Sequence, residues 1–228
     1  MPVTGRPPGA AVAGLASRIE AAATPGRRFV VGIAGSPGSG KTTLAVALVD
    51  HLNARRQGVA AHLPMDGFHL ANDMLDRRGL RDRKGAIETF DGWGFVALLG
   101  RLRVETDHTI YAPSFRREVD EGIAGEIAIE PDVDIVVVEG NYLLVDRPPW
   151  AGVRSQLDAA WFCRTPEADR EARLIDRHVR HGRTREAATT FAREVDGANA
   201  LLVDASASRA DLVVSGVTAE PGSVVPER

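Results

Sequence analysis

Cysteine is almost absent from the 228-residue chain. Cys163 stands alone, so an internal disulfide and a cysteine-cluster zinc site are both excluded, which fits a reducing compartment and predicts a cytoplasmic protein. Lysine is nearly as scarce. Of 28 basic residues only Lys41 and Lys84 are lysines. A GC-rich genome accounts for the arginine bias, but a lysine that persists in such a chain can mark a place where a guanidinium does not substitute. Aromatic residues make up 5%. No apolar run reaches the roughly 18 residues of a membrane helix, and residues 1–28 hold no compact apolar block of the kind a secretory signal needs. The net charge of −3 and the pI near 6.1 argue against a surface that coats nucleic acid or an anionic membrane. What remains is a soluble globular composition, 44% hydrophobic and 26% charged, in a chain long enough for one well-buried domain.

Apolar runs and helical patterns alternate along that domain. Residues 1–28 read as a flexible segment followed by a short Ala-rich helix at 10–23. Residues 29–34 (FVVGIA), 59–64, 134–139 (DIVVVE), 157–163 and 211–215 read as buried strands. Helices are expected at 41–56, 71–78, 92–104 with Asp91 as its cap, 166–180, and 184–204 with a break near Gly197. Shorter strands are expected at 109–112 and 126–130. The basic stretch 77–84 reads as a solvated loop, and 217–228 as a flexible polar tail. The main domain is therefore placed at 29–216. Strand–helix alternation predicts a mostly parallel five-stranded sheet with helices on both faces, an α/β three-layer sandwich whose sites lie at the carboxyl ends of the strands.

Three places at those ends carry chemistry. Gly35-Ser36-Pro37-Gly38-Ser39-Gly40-Lys41-Thr42 matches G-x-x-x-x-G-K-[ST] between a predicted strand and a predicted helix, the context that marks a phosphate-binding loop of P-loop NTPase type. Its glycines let backbone N–H groups turn toward phosphate oxygens, and the helix adds its positive end. Lys41 reaches the β- and γ-phosphates and Thr42 offers a hydroxyl to Mg²⁺; Thr43 follows in the same segment. Glu139 closes a hydrophobic strand and is placed to hold Mg²⁺ directly or through water, or else to face solvent. Asp66, at the end of the second strand, is either a base for an acceptor hydroxyl or the start of an Asp-Gly turn. Arg173, Arg177 and Arg180 share a helical face and, with Arg183 beyond Gly182, make either a mobile lid over a transferring phosphoryl group, at about 177–185, or a solvated helix face paired with neighbouring acids. His178 and His181 read as surface residues.

Four blocks together resemble the superfamily of bacterial type I pantothenate kinases, uridine kinases and phosphoribulokinases: GIAGSPGSGKTT (32–43), MDGFHL (65–70) with GLRDRKGAIETFD (79–91), VVVEGNYLL (136–144), and the arginine-rich segment leading to EVDGAN (194–199). The resemblance implies a P-loop kinase fold with an arginine-rich lid and ATP and Mg²⁺ as cofactors. It implies Lys41, Arg177 and Arg180 at the transferring phosphate, Asp66 as general base, Thr42 and Glu139 at the metal, and Arg183 on the nucleotide. It also makes a homodimer the expected assembly. His69, Tyr111, Arg116, Arg117, Asn141 and Asn199 are the expected acceptor-side residues. The sequence departs from uridine kinases at Pro113-Ser114-Phe115-Arg116-Arg117, where their Pro-x-Tyr-Asp element would put an acid; two arginines there suit an anionic or strongly polar metabolite better than a neutral nucleoside. The expected activity is transfer of the ATP γ-phosphate to a hydroxyl of a small pantothenate-, sugar- or nucleoside-like molecule. A regulatory P-loop GTPase is the alternative, but neither lysine follows an asparagine, so the guanine-reading Asn-Lys-x-Asp segment is missing.

Overall fold

The structure, a computed structural model, describes residues 7–222. Five parallel strands form its centre: β1 (Phe29–Ala34), β2 (Ala60–Pro64) and, later in the chain, the strands at Ile135–Gly140, Ala159–Arg164 and Leu212–Ser215. Between them a separate antiparallel hairpin, β3 (Ile110–Arg116) and β4 (Glu121–Ile129), stands outside the main sheet. The three later strands are therefore β5, β6 and β7, and the sheet runs β2-β5-β1-β6-β7 with a short antiparallel β8 (Pro221–Gly222) at its edge. The parallel register sets Ile33 and Pro64 beside Glu139, and Arg164 beside Ser215. The carboxyl ends of all five parallel strands thus meet at one rim.

Alternation along each strand sends neighbouring side chains to opposite faces. On one face Val31, Ile33, Val137 and Trp161 pack under α1 (Gly9–Ala22) and α2 (Lys41–Arg55), which bury Leu15, Ile19, Leu44 and Leu48. On the other face Val30, Val136, Val138 and Phe162 pack with Phe95, Leu99 and Leu102. These last belong to the helix Gly92–Val104, which follows α3 (Asn72–Arg78) and is α4; the Asp91 carboxylate caps it by accepting from the Gly94 N–H. Both faces of β1 and β5 are covered, and all six residues of each strand are buried, which is why they read as unbroken apolar runs.

Three expectations change. The hairpin is longer than the two short strands expected there. Pro113 has no N–H to donate and sits at the register shift between Ala112 and Ser114, so the strand passes it as a bulge rather than ending. The long C-terminal helix is α6 (Arg185–Phe191) and α7 (Gly197–Asp204) joined by a π-helical turn over Ala192–Asp196, so the break precedes Gly197. The segment after 216 first returns along the sheet, where Pro221 and Gly222 pair with Val214 and Val213; the rest of the expected tail, and residues 1–6, lie outside the described residues.

Candidate active site

The loop 35–40 joins β1 to α2 at the rim. Gly38 and Gly40 hold φ of +78° and +93°, a region L side chains rarely adopt. At Gly35 a Cβ would lie 2.6 Å from the Cys163 carbonyl. The loop is fastened from behind. The Thr165 hydroxyl donates to the Ser39 carbonyl at 2.7 Å, Arg170 to the Pro37 carbonyl at 3.1 Å, Arg173 to the Gly38 carbonyl at 3.3 Å, and Ser36 Oγ to Asp204 at 2.6 Å. Arg170 and Arg173 come from α5 (Glu167–Arg180). With its carbonyls engaged there, and only the Ser39 N–H turned back on the loop, to the Ser36 carbonyl at 3.0 Å, the loop leaves its other N–H groups and the start of α2 for an anion.

At the first turn of α2, Thr42 Oγ1 donates to Glu139 Oε1 at 3.0 Å. Glu139 is 3% exposed. Burial pushes its carboxyl up to about 7, and the Asp66 charge adds to that against the opposing pull of Lys41. His62, on β2, has Nε2 3.8 Å from Glu139 Oε1 and burial pulls it down to about 4, so the imidazole is uncharged and the two do not form an ion pair. A buried carboxylate and a hydroxyl side by side at the phosphate loop fit Mg²⁺, which takes one or two protein oxygens and completes its shell from phosphates and water.

Across the rim a short 3₁₀ turn, Met65–Phe68, ends β2 and carries Asp66. Asp66, Lys41, Thr42, His69 and Arg177 line one cleft of about 390 Å³. Burial would raise the Asp66 carboxyl, but His69, Lys41, Arg117 and Arg177 outweigh it and hold the group below the usual carboxylate range. Arg117 Nη2 lies 3.7 Å from Asp66 Oδ2. A second cavity of about 460 Å³ adjoins the first through Lys41, Thr42, Arg117 and Arg177 and also takes in Arg180, Gly216 and Val217. Arg183 stacks over the Phe191 ring at 3.9 Å and faces the first cleft.

Most of the expected site residues therefore meet in one place. Gly38, Gly40 and Thr43 line the second cavity, Pro37 the first and Ser36 a cavity behind the loop. Of the residues expected on the acceptor side, His69, Asn141 and Arg117 line the first cleft. Tyr111 and Arg116 do not. Tyr111 is 62% exposed on the outside of β3, and Arg116 turns outward to an ion pair with Glu126 on the neighbouring strand, because alternate residues of a hairpin face opposite sides. Asn199 lies behind the wall, donating to the Gly85 carbonyl at 3.3 Å. The stretch 77–84 is not simply solvated loop, since Arg81 and Lys84 line the cleft. Lys84 Nζ donates to Asn72 Oδ1 at 2.6 Å and to Asp120 Oδ2 at 3.0 Å. Its rarity in an arginine-rich chain was the available signal. His178 is no surface residue either; its Nε2 meets Asp196 Oδ2 at 2.8 Å and both side chains are largely buried.

A parallel sheet with this loop, a Mg²⁺-competent carboxylate and an opposing aspartate defines a P-loop phosphotransferase. The chain belongs to the phosphoribulokinase/uridine kinase family, whose model matches residues 30–221. It is 35% identical to a Schizosaccharomyces pombe protein provisionally named uridine kinase C227.14, over 68% of both chains. It is 36% identical to the Enterococcus faecalis pantothenate kinase over 49% of this chain and 36% of that one. A solved structure from Silicibacter sp. TM1040, with the provisional name fructose transport system kinase, is 40% identical and superimposes with a TM-score of 0.81 over 89% of this chain and 98% of its own. The chain is accordingly an enzyme of the class that phosphorylates hydroxyl groups. No helix among the described residues is long and apolar enough to cross a membrane.

Proposed function

We propose that the protein transfers the γ-phosphoryl group of ATP to a hydroxyl of a small metabolite bound between Asp66 and the arginines of the lid. The observation that carries this reading is the shared cleft: Asp66, with its carboxyl held in the ionised form, lines the same cavity as Lys41 and Thr42. The acceptor oxygen bonds to the γ-phosphorus, the bond to the bridging β–γ oxygen breaks, ADP leaves, and the hydroxyl proton passes to Asp66. A carboxylate held below its ordinary range is a weak base. In a loose transition state, however, its main work is to orient the hydroxyl and accept the proton as the new bond forms. Lys41, Arg177 and Arg180 balance charge on the transferring group, and Arg183 closes on the nucleotide from the lid. Mg²⁺, held by Thr42 and Glu139, would neutralise phosphate charge when bound. The relatives' names point to different acceptors, so the choice among them rests on the residues of the cleft.

Asp66→Asn tests this directly. ADP release in the presence of a turned-over acceptor should fall roughly 10²–10⁴-fold in kcat, while the ATP dissociation constant holds. Weakened ATP binding with undiminished turnover of bound substrate would move Asp66 to the metal site and remove the base from the scheme.

A further inference from the structure

We propose that the acceptor is a polyhydroxylated anion, a small molecule carrying several hydroxyls and one carboxylate or phosphate close to the hydroxyl that is phosphorylated. This rests on the kinase reading above and names its substrate class.

The cations in and around this part of the cleft are not equivalent. Lys84 has its three N–H donors matched by Asn72 Oδ1, Asp120 Oδ2 and the Asp120 carbonyl. It therefore pins the β3–β4 turn to the start of α3 and has no donor to spare. Arg116 is committed to Glu126, and Arg81 lies 3.2 Å from Asp76. Arg117 is different. Its guanidinium makes no hydrogen bond to another described residue; its one ion-pair contact among them, Asp66, is at 3.7 Å, beyond hydrogen-bond range, and Arg177 is a like-charged neighbour. A half-exposed guanidinium with free donors, held beside the proposed base, suits a carboxylate or phosphate in the fork geometry such groups accept. The short separation from Asp66 puts that anion only a few bonds from the reacting hydroxyl.

Two acceptor atoms complete the pattern. His69 Nδ1 lies 2.7 Å from the Asp66 carbonyl. A carbonyl can only accept, so Nδ1 carries the hydrogen. Burial pulls the ring below its ordinary value, which favours the neutral form near pH 7 and leaves Nε2 with a lone pair there. Asn141 Oδ1 is buried in the cleft wall without a partner among the described residues, and a buried oxygen of this kind calls for a donor. Hydroxyls supply such donors. A nucleobase would also want an open aromatic face, and the rings that line the cleft already have imidazole or cationic neighbours. Phe90 and Phe115 pack on His69 at 4.0 and 4.7 Å, and Lys84 Nζ lies 5.0 Å from the Phe115 ring centre.

The test compares matched acceptors with the full chain and Mg·ATP: gluconate against glucose, glycerate against glycerol, fructose 6-phosphate against fructose, and uridine. An anionic member should exceed its neutral partner at least tenfold in kcat/KM, and the carboxylate and phosphate arms tell the two sources apart. In Arg117→Ala the anionic-to-neutral ratio should fall by about 10–150-fold, the worth of a lost charged hydrogen bond. The loss should appear in acceptor KM, not in KM for ATP, with partial rescue by Arg117→Lys. Preference for uridine or a neutral sugar would overturn the proposal. So would an equal loss of kcat for every acceptor, which would place Arg117 on the transferring phosphoryl group. Failure of every anionic polyol, both as substrate and as a ligand that raises the melting temperature with a non-hydrolysable ATP analogue, would overturn it as well. In that case ATP binding that still depends on Lys41 would leave the kinase reading standing, and its absence would sink that reading separately.

Discussion

Glu139→Gln should make the metal-free protein more stable at pH 8 and no more stable at pH 4.5. The Glu139 carboxyl is raised by burial from an ordinary 4.5 to about 7. Below pH 4.5 both folded and unfolded chains hold the proton. Between 4.5 and 7 the unfolded chain releases it and the folded chain does not, so stability falls as pH rises through that window and levels off above it. At about 1.4 kcal/mol per pH unit, the shift makes a deficit of about 3 kcal/mol. His62 has the opposite slope. Burial lowers it from 6.5 to about 4, so stability is lost as pH falls from 6.5 toward 4, by a similar amount. The two slopes oppose each other in the parent. Removing Glu139 therefore uncovers the His62 slope, and His62→Gln uncovers that of Glu139. For a chain of this size 1 kcal/mol moves the melting temperature by about 2–4 °C. Glu139→Gln should then gain roughly 6–12 °C over the parent at pH 8 and lose Mg·ATP-dependent turnover, a buried charge kept for function at the expense of stability. Thermal and urea melts in EDTA across pH 4.5–8 measure it. A Glu139→Gln increment that is the same at both ends of that range would refute the reasoning.

Lys41→Ala should abolish phosphoryl transfer with a melting temperature close to the parent's, and Lys41→Arg should fail too, because the cradle suits a compact ammonium; single-turnover transfer assays check both. Gly216→Ala should loosen the phosphate loop, since a Cβ there would lie 1.8 Å from the Ser39 carbonyl and 2.3 Å from Thr165 Oγ1. The expected cost is about 1–3 kcal/mol in a urea melt, with weaker ATP binding by calorimetry. Arg28→Leu should cost ~2 kcal/mol or more, because the buried Arg28 guanidinium donates to the carbonyls of Val133, Leu102, Glu105 and Glu130; a shift of the urea midpoint without change in KM for ATP is the readout.

The central sheet and the phosphate loop could be read directly because their determinants are local. A strand covered on both faces has to be apolar throughout, as Ile135–Val138 is, and a loop that wraps a phosphate must place glycine where φ is positive, as at Gly38 and Gly40. Asp91 announced its helix, since a cap lies one residue from what it caps. Asp66 and Glu139 could be nominated from their strand-end positions. Their opposite electrostatics, however, come from what surrounds them: four cationic or imidazole groups, drawn from four separate segments, around one, and burial beside a neutral histidine for the other. The split between Arg116 and Arg117 was equally hidden. Adjacent arginines look alike in a sequence, and only the facing of the hairpin, with Glu126 across from one and Asp66 beside the other, decides which of them enters the cleft. Lys84 and His178 were read as surface residues for the same reason, because the partners that bury them, Asp120 and Asp196, lie 36 and 18 residues away. Local chemistry determined the elements and the phosphate cradle; the three-dimensional meeting of distant segments decided which charges are paired, which are left free, and so what the acceptor side can hold.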